Sequence, residues 1–267
     1  MLKAAMFMAA GILLHRFGSV DEYELRGRGR GGDWGVRAAG AVLALGGLGL
    51  AALPPFGTFA GKSALEDAVT EVSGYGWVIA VLVLASAITA GAILRATGRV
   101  FLGLGPRLPR HQEELTVLSE QPETLRPHSR TPAVMSAPAL LLAVGGLLLG
   151  LIGPLRHGIA AAATHLTERG VYAAHVLGGA APATHLRPPA LGTRATDYAL
   201  AAATLVGALT LAAAALRPRW PPRDSRVARG ATTATVALRR LHSGCVNDYV
   251  AWLVVGLAAI GGALALT

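Results

Sequence analysis

Charge is distributed along this chain in blocks. Ala38–Leu53, Trp77–Leu94, Ala133–Ile152, Tyr198–Leu216 and Tyr249–Leu266 contain no charged side chain and consist mostly of Ala, Leu, Val and Gly. A helix that crosses the hydrocarbon core of a bilayer needs about 20 apolar residues, and several of these runs reach or approach that length. Only helices and closed barrels satisfy every backbone polar group in lipid. The alternating ten-residue segments of a barrel do not occur here. The pattern therefore predicts an all-α, polytopic transmembrane helical bundle with about six membrane segments. They are Met1–Leu14, which is too short to span comfortably, Arg37–Thr70, Tyr75–Leu104, Thr131–Gly153, Asp197–Leu216 and Asn247–Thr267. Residues 154–194 are moderately apolar and rich in His, Gly and Pro. They hold at most a short interfacial helix around Arg156–Arg169, not a span. Two regions follow: 1–104 with the first three segments, and 105–267 with the C-terminal helices and their loops.

The second segment is interrupted. Leu53-Pro54-Pro55-Phe56-Gly57 places two residues without an N–H, and with rings that clash with the preceding turn, beside a glycine. The carbonyls near Leu50 and Ala51 lose their helical partners. Such backbone is tolerated at membrane depth only inside protein or beside water. A discontinuous helix is expected here, although an ordinary proline kink is the simpler alternative.

Composition agrees with a membrane protein. Hydrophobic residues make up 53% and charged residues 15%, against about 25% charged in soluble domains. Mean hydropathy is +0.50. The formal charge of +9 does not signal nucleic acid, because the basic residues sit in loops between apolar runs and form no stripe on a polar domain. The single cysteine, Cys245, cannot form an internal disulfide, and no Cys/His cluster has metal-binding spacing. No nucleophile or nucleotide motif is present, so no catalytic centre is expected. Met1–Leu14 lacks the charge and cleavage pattern of a signal peptide.

Arginines set the expected topology. If each segment crosses once, the loops 16–37, 104–132 and 217–247 share one face and carry sixteen arginines, against four in the loop 154–196. Cytoplasmic loops carry the Lys/Arg excess, so the first set is cytoplasmic and the chain begins on the opposite face. This describes a multi-pass protein of the cell (inner or plasma) membrane.

Among 24 basic residues only Lys3 and Lys62 are lysines, and both lie inside apolar segments. Arginine stays protonated at any working pH, whereas lysine shifts its pKa readily when buried. A site that gains and loses a proton therefore uses lysine. An ionisable residue at membrane depth is a functional-site hypothesis by default, and discontinuous helices with such residues beside the break are how transporters build ion sites. The plainer readings stay open. Lys3 near the chain start can snorkel to the interface. Lys62 lies four residues before Glu66, where an i,i+4 pair can serve only to neutralise charge. His111, His128, His157, His165, His175 and His185 read as loop or interface residues. His242 and Asp248 read as interfacial anchors beside Tyr249 and Trp252.

Three stretches carry a resemblance. Met1-Leu-Lys-Ala-Ala-Met-Phe-Met-Ala-Ala-Gly-Ile-Leu-Leu-His15 resembles the lysine-bearing helix of the antiporter-like subunits of respiratory complex I, hydrogenase-4-type complexes and Mrp sodium/proton antiporters. Leu53-Pro-Pro-Phe-Gly-Thr-Phe-Ala-Gly-Lys62 resembles the next, broken helix of that family, with Thr58 separating the glycine from Phe59 as a departure. Leu241-His-Ser-Gly-Cys-Val-Asn-Asp-Tyr249 is similar to the start of the last helix in the larger members. The resemblance implies that Lys3 is the central-axis lysine of a proton path, that His15 lies at the far end of its helix, and that Lys62 belongs to the second half-channel. Glu66 or Asp67 is then the acid that accompanies Lys62. It implies no cofactor, and partners that are other membrane subunits of a respiratory or antiporter complex, with protons, or sodium, as the cargo. Complete members are built of roughly fourteen or more helices as inverted repeats. The chain is accordingly expected to match only a C-terminal portion, starting within the lysine helix and lacking the first half-channel. The functions open to it are a proton-translocating subunit coupled to redox partners, an Mrp-type cation/proton antiporter subunit, or a non-conducting membrane scaffold.

Overall fold

A computed structural model describes residues 1–71, 73–107, 128–155, 158, 162, 194–217, 250–251 and 253–258. The chain divides into two units, Met1–Pro218 and Arg219–Thr267. In the second, 250–251 and 253–258 are helical and fall within the sixth predicted segment, the rest of which lies outside the described residues. Also outside them are the motif Leu241–Tyr249 with His242 and Asp248, the side chains of Trp252, His111, His157, His165, His175 and His185, and all but two residues of the expected interfacial helix.

The first unit is built of helices, and no strand occurs among the described residues. In chain order they are α1 (Leu2–Phe17), α2 (Trp34–Leu50), α3 (Gly57–Glu71), α4 (Trp77–Leu102), α5 (Ala133–Leu151) and α6 (Ala195–Leu216), with a short 3-10 turn at Arg28–Gly31. Three of them, α4, α5 and α6, are long and apolar enough to cross a membrane. Their outward rows are Val81, Leu84 and Ile88 on α4, Val134 and Leu141 on α5, and Val206 and Leu209 on α6, all exposed. Bare apolar rows of this kind suit lipid rather than water. The described part of the chain is thus all-helical, with three helices suited to crossing a membrane.

α2 is the centre of the bundle. At 17 residues it is shorter than a full span, and α1, α4 and α5 pack around it. Where α1, α2 and α5 meet, the core is made of small side chains: Ala5, Ala9, Ala39, Ala139 and Ala143, with Ile12 and Val42. Small residues let helix backbones approach closely, which is how membrane helices gain packing contacts when lipid is as apolar as leucine. The same rule joins α4 to α6. A Cβ on Gly91 would lie 2.9 Å from the Ala208 carbonyl oxygen, so only glycine permits that crossing.

α2 begins at Asp33, whose carboxylate accepts the Val36 N–H at 3.0 Å as an N-cap. It ends at the expected break. Ala51 still donates to Gly47, but Ala52 takes a left-handed conformation at φ 53°, sparsely populated for a residue with a Cβ. The chain passes through Pro54 and Pro55 and re-enters a helix at Gly57. Thr58, the departure from the family pattern, has a local role: its hydroxyl donates to the Gly49 carbonyl at 2.6 Å and so closes the end of α2. The turn is seated on α5, where Gly150 lies directly against the Pro55 carbonyl and Phe56.

Candidate functional site

Directly after the break, α3 turns Phe59, Ser63 and Glu66 inward. These residues follow the i, i+4, i+7 spacing of one helix face. Lys62 shares that face. Its ammonium group donates to the Thr204 hydroxyl at 2.7 Å and lies 3.7 Å from the Glu66 carboxylate. The Lys62 and Glu66 side chains are 10% and 5% exposed. Thr204 is fully buried on α6 and donates its O–H to the Leu200 carbonyl at 2.7 Å. The hydroxyl is therefore committed in both directions, accepting from Lys62 and donating to its own helix.

The polar contact between α3 and α6 continues toward the start of α6. Phe59 packs on Tyr198 with ring centroids 5.0 Å apart. Asp197, 3% exposed, stands one residue before Tyr198 at the same contact. It also accepts the Arg194 backbone N–H at 2.8 Å. The Arg194 guanidinium reaches Asp67 at 3.1 Å while remaining largely exposed. The seam therefore runs Thr204, Lys62, Glu66, Asp197, then Asp67 with Arg194. Thr204 stands nine residues into α6, about 14 Å along its axis, and Arg194 precedes its first turn. Among the described residues two cations meet three carboxyl groups here, and Glu66 Oε1, the oxygen 3.7 Å from the Lys62 ammonium, accepts no hydrogen bond. Buried polar atoms are normally satisfied, and unbalanced buried charge is costly.

The other expected site residues lie elsewhere. Lys3 is exposed on α1, and α1 packs chiefly on α2 and α5, so Lys3 and Lys62 are not brought together. His15, at the last turn of α1, stacks on His128 with centroids 4.2 Å apart and planes 13° apart. The pair is held by Arg16, which donates to the His128 carbonyl at 2.7 Å and lies 4.0 Å from Asp33. Asp33 in turn accepts the Thr131 N–H at 2.7 Å and the Thr131 hydroxyl at 3.1 Å. Burial pushes the Asp33 carboxyl up, but these hydrogen bonds, that from Val36 and the Arg16 charge outweigh it and hold the group below its ordinary value. His128 thus belongs to the junction that ties the entry of α5 to α1 and α2.

A further charged junction sits near the end of α4. Glu22 meets Arg95 at 2.9 Å and Arg99 at 3.8 Å. Arg99 is 1% exposed, stacks over Tyr23 at 4.0 Å and donates to the Pro106 carbonyl at 3.1 Å. Arg26 and Arg30 bind the carbonyls of Gly105 and Leu102. Cations suit the negative end of a helix dipole, and each of these arginines has local work in fastening the loop before α2 to α4.

Thr204, Asp197 and Arg194 were not singled out from the sequence. Asp197 had a signal, an acid at the head of an apolar segment. Thr204 had none. Among the described residues no group of His, Cys, Asp or Glu is arranged to hold a metal ion. No protein-family model, curated protein or solved structure matches the chain.

Proposed function

We propose that this chain is a proton-translocating membrane subunit, corresponding to the C-terminal portion of an antiporter-like subunit in a complex I-like or hydrogenase-4-like respiratory assembly. In this reading it crosses the cell membrane several times, α2 and α3 form one discontinuous spanning helix, and neighbouring membrane subunits perform the redox chemistry. Lys62 is the proton-exchanging residue, and Glu66 is the acid that shares its charge. The observation that supports the reading best is the setting of Lys62: a nearly buried lysine just after a helix break, held by one hydroxyl and one carboxylate. Lysine is the cation that can give up a proton in such a place, and a break beside an ionisable side chain is a recurring way to build an ion site in membranes. Lys3 and His15 join the proposal through the family resemblance alone.

The test is Lys62→Arg. Arginine keeps the positive charge opposite Glu66 but cannot deprotonate at working pH. Proton flux is measured with a pH-sensitive dye in vesicles carrying the full chain under an imposed potassium potential. Loss of flux with unchanged protein content in the membrane is the expected result. Flux at the wild-type rate makes Lys62 a structural residue. A sodium requirement for the flux would move the protein to the Mrp-type antiporter class, which would use the same lysines.

A further inference from the structure

We propose that the outward face of α1, built of Lys3, Phe7 and Gly11, docks a transmembrane helix of a different protein that carries an aspartate or glutamate at the depth of Lys3; this rests only on α4 crossing the membrane and is independent of the role of Lys62. The three residues recur at every fourth position and so share one side of the helix. The opposite side, with Ala5, Ala9 and Ile12, is buried against α2 and α5. Lys3 is exposed, and Phe7 is 79% exposed. A Cβ added at Gly11 would meet nothing within 4 Å. Packing among the described residues therefore does not require glycine there, although glycine weakens a helix interior. What a glycine on an open helix face permits is the close approach of another helix.

Depth decides the partner. α1 runs antiparallel to α2: Arg16 in its last turn meets Asp33 at the start of α2, while Leu2 and Met6, on either side of Lys3, pack against Gly49 and Gly46 near the end of α2. At that level Gly47 meets Ile93 and Leu94 of α4. Leu94 is seventeen residues from Trp77 and eight from Leu102, about 25 Å and about 12 Å along the axis. Lys3 thus stands well inside the length of α4. The Leu102 end of α4 lies beside the start of α2, where Arg30 binds the Leu102 carbonyl. Helical side chains lean toward the N-terminus of their helix, which directs Lys3 toward the more distant, Trp77 end. A four-carbon stem does not cover that distance. A cation at this depth is costly in lipid and is met by protein, and among the described residues no carboxylate pairs with Lys3. A second copy docked two-fold through this face would set Lys3 against Lys3, because such a contact pairs equal surfaces. The run Tyr249–Leu266 of this chain has no acid to offer. The charge therefore calls for a helix of another protein, with a carboxylate for Lys3 and a close-packing surface for Phe7 and Gly11.

The test replaces Phe7 by the photo-crosslinker p-benzoylphenylalanine in the full chain, irradiates native membranes and identifies the adducts by peptide mass spectrometry. The same probe in place of Val81, in the exposed row of α4, should give lipid adducts alone. The expected adduct at position 7 is a transmembrane peptide of a different protein, with an aspartate or glutamate within about two helical turns of the labelled residue. At equal protein content in the membrane, Lys3→Glu should reduce that adduct at least about tenfold, because like charges set against each other across a contact are strongly disfavoured. Lys3→Arg should keep it, and exchanging the partner's acid for lysine should restore it in Lys3→Glu. Lipid adducts alone at position 7, an adduct to a second copy or to another segment of this chain, a partner helix without an acid, or an adduct undiminished in Lys3→Glu each overturns the proposal. Each of these leaves the reading of Lys62 untouched, and wild-type flux in Lys62→Arg would leave the α1 face untouched in turn.

Discussion

Replacing Lys62 by methionine removes a charge and little volume. At an effective dielectric constant of about 20, two unit charges attract by about 332/(20r) kcal/mol. The 3.7 Å separation of Lys62 and Glu66 then corresponds to about 4.5 kcal/mol. Both side chains are at least 90% buried, so solvent screening does little to reduce this. The variant leaves the buried Glu66 carboxylate without its ammonium partner, a loss of about 3–5 kcal/mol by the precedent of broken buried pairs. Thr204 contributes little to the loss, because its hydroxyl keeps the Leu200 carbonyl. The double variant Lys62→Met with Glu66→Leu removes both charges and leaves apolar side chains of similar size. It should return to within about 1 kcal/mol of the wild type. Unfolding in mixed detergent micelles, followed by circular dichroism, measures both variants against the wild type. A Lys62→Met loss below about 1 kcal/mol would mean that water screens the pair as it does at a surface. A double variant as unstable as Lys62→Met would mean that packing, not charge, fixes this position. Either result refutes the burial argument.

Three other outcomes follow from the geometry. Gly150→Ala drives a methyl group into the Pro55 carbonyl and should lower stability by about 1–3 kcal/mol, as overpacking does; an unchanged melting temperature would show that the break is not seated on α5. Gly91→Val places side-chain atoms against the Ala208 backbone and should cost a similar amount in the same assay, whereas Gly61→Ala, where a Cβ meets nothing, should be neutral. Asp33 has a lowered folded-state pKa, so its contribution is complete above the ordinary carboxylate value of about 4 and is lost as pH falls below it. Melting temperatures from pH 7 to 3 should therefore drop more steeply for the wild type than for Asp33→Asn, and parallel curves would contradict that assignment.

The apolar runs located the long helices well, because charged loops bracket them. Tyr75–Leu104, Thr131–Gly153 and Asp197–Leu216 became Trp77–Leu102, Ala133–Leu151 and Ala195–Leu216. The interruption at Leu53–Gly57 falls between the end of α2 at Leu50 and the start of α3 at Gly57. The expected first apolar segment stopped at Leu14, yet the helix runs to Phe17; Arg16, counted with the loop 16–37, suits the negative end of a helix. Glu66 was legible beside Lys62 because an i,i+4 pair needs only the helix period. Thr204 was not, because it meets Lys62 across 142 residues of sequence and a lone threonine in an apolar helix carries no pattern. The stacking of His128 on His15 was hidden for the same reason. Arg95 and Arg99 mark the limit of the rule that intramembrane charge signals function: both lie inside a predicted span, and both serve as anchors for the preceding loop.

The same contrast separates the three polar clusters by their chemistry. Near the end of α4, Arg99 has Glu22, Tyr23 and the Pro106 carbonyl, and every cation there is arginine, whose proton does not leave. At the entry of α5, Asp33 has three hydrogen bonds and Arg16 nearby, so its charge is met in one fixed arrangement. The seam between α3 and α6 differs in its cation: Lys62 lies 2.7 Å from the Thr204 hydroxyl and 3.7 Å from Glu66, and under the proposed reading lysine is the cation able to release a proton. The bundle supplies the frame for it: α5 seats the break through Gly150, α4 fixes α6 through Gly91, and Lys62 and Thr204 are held 2.7 Å apart between them.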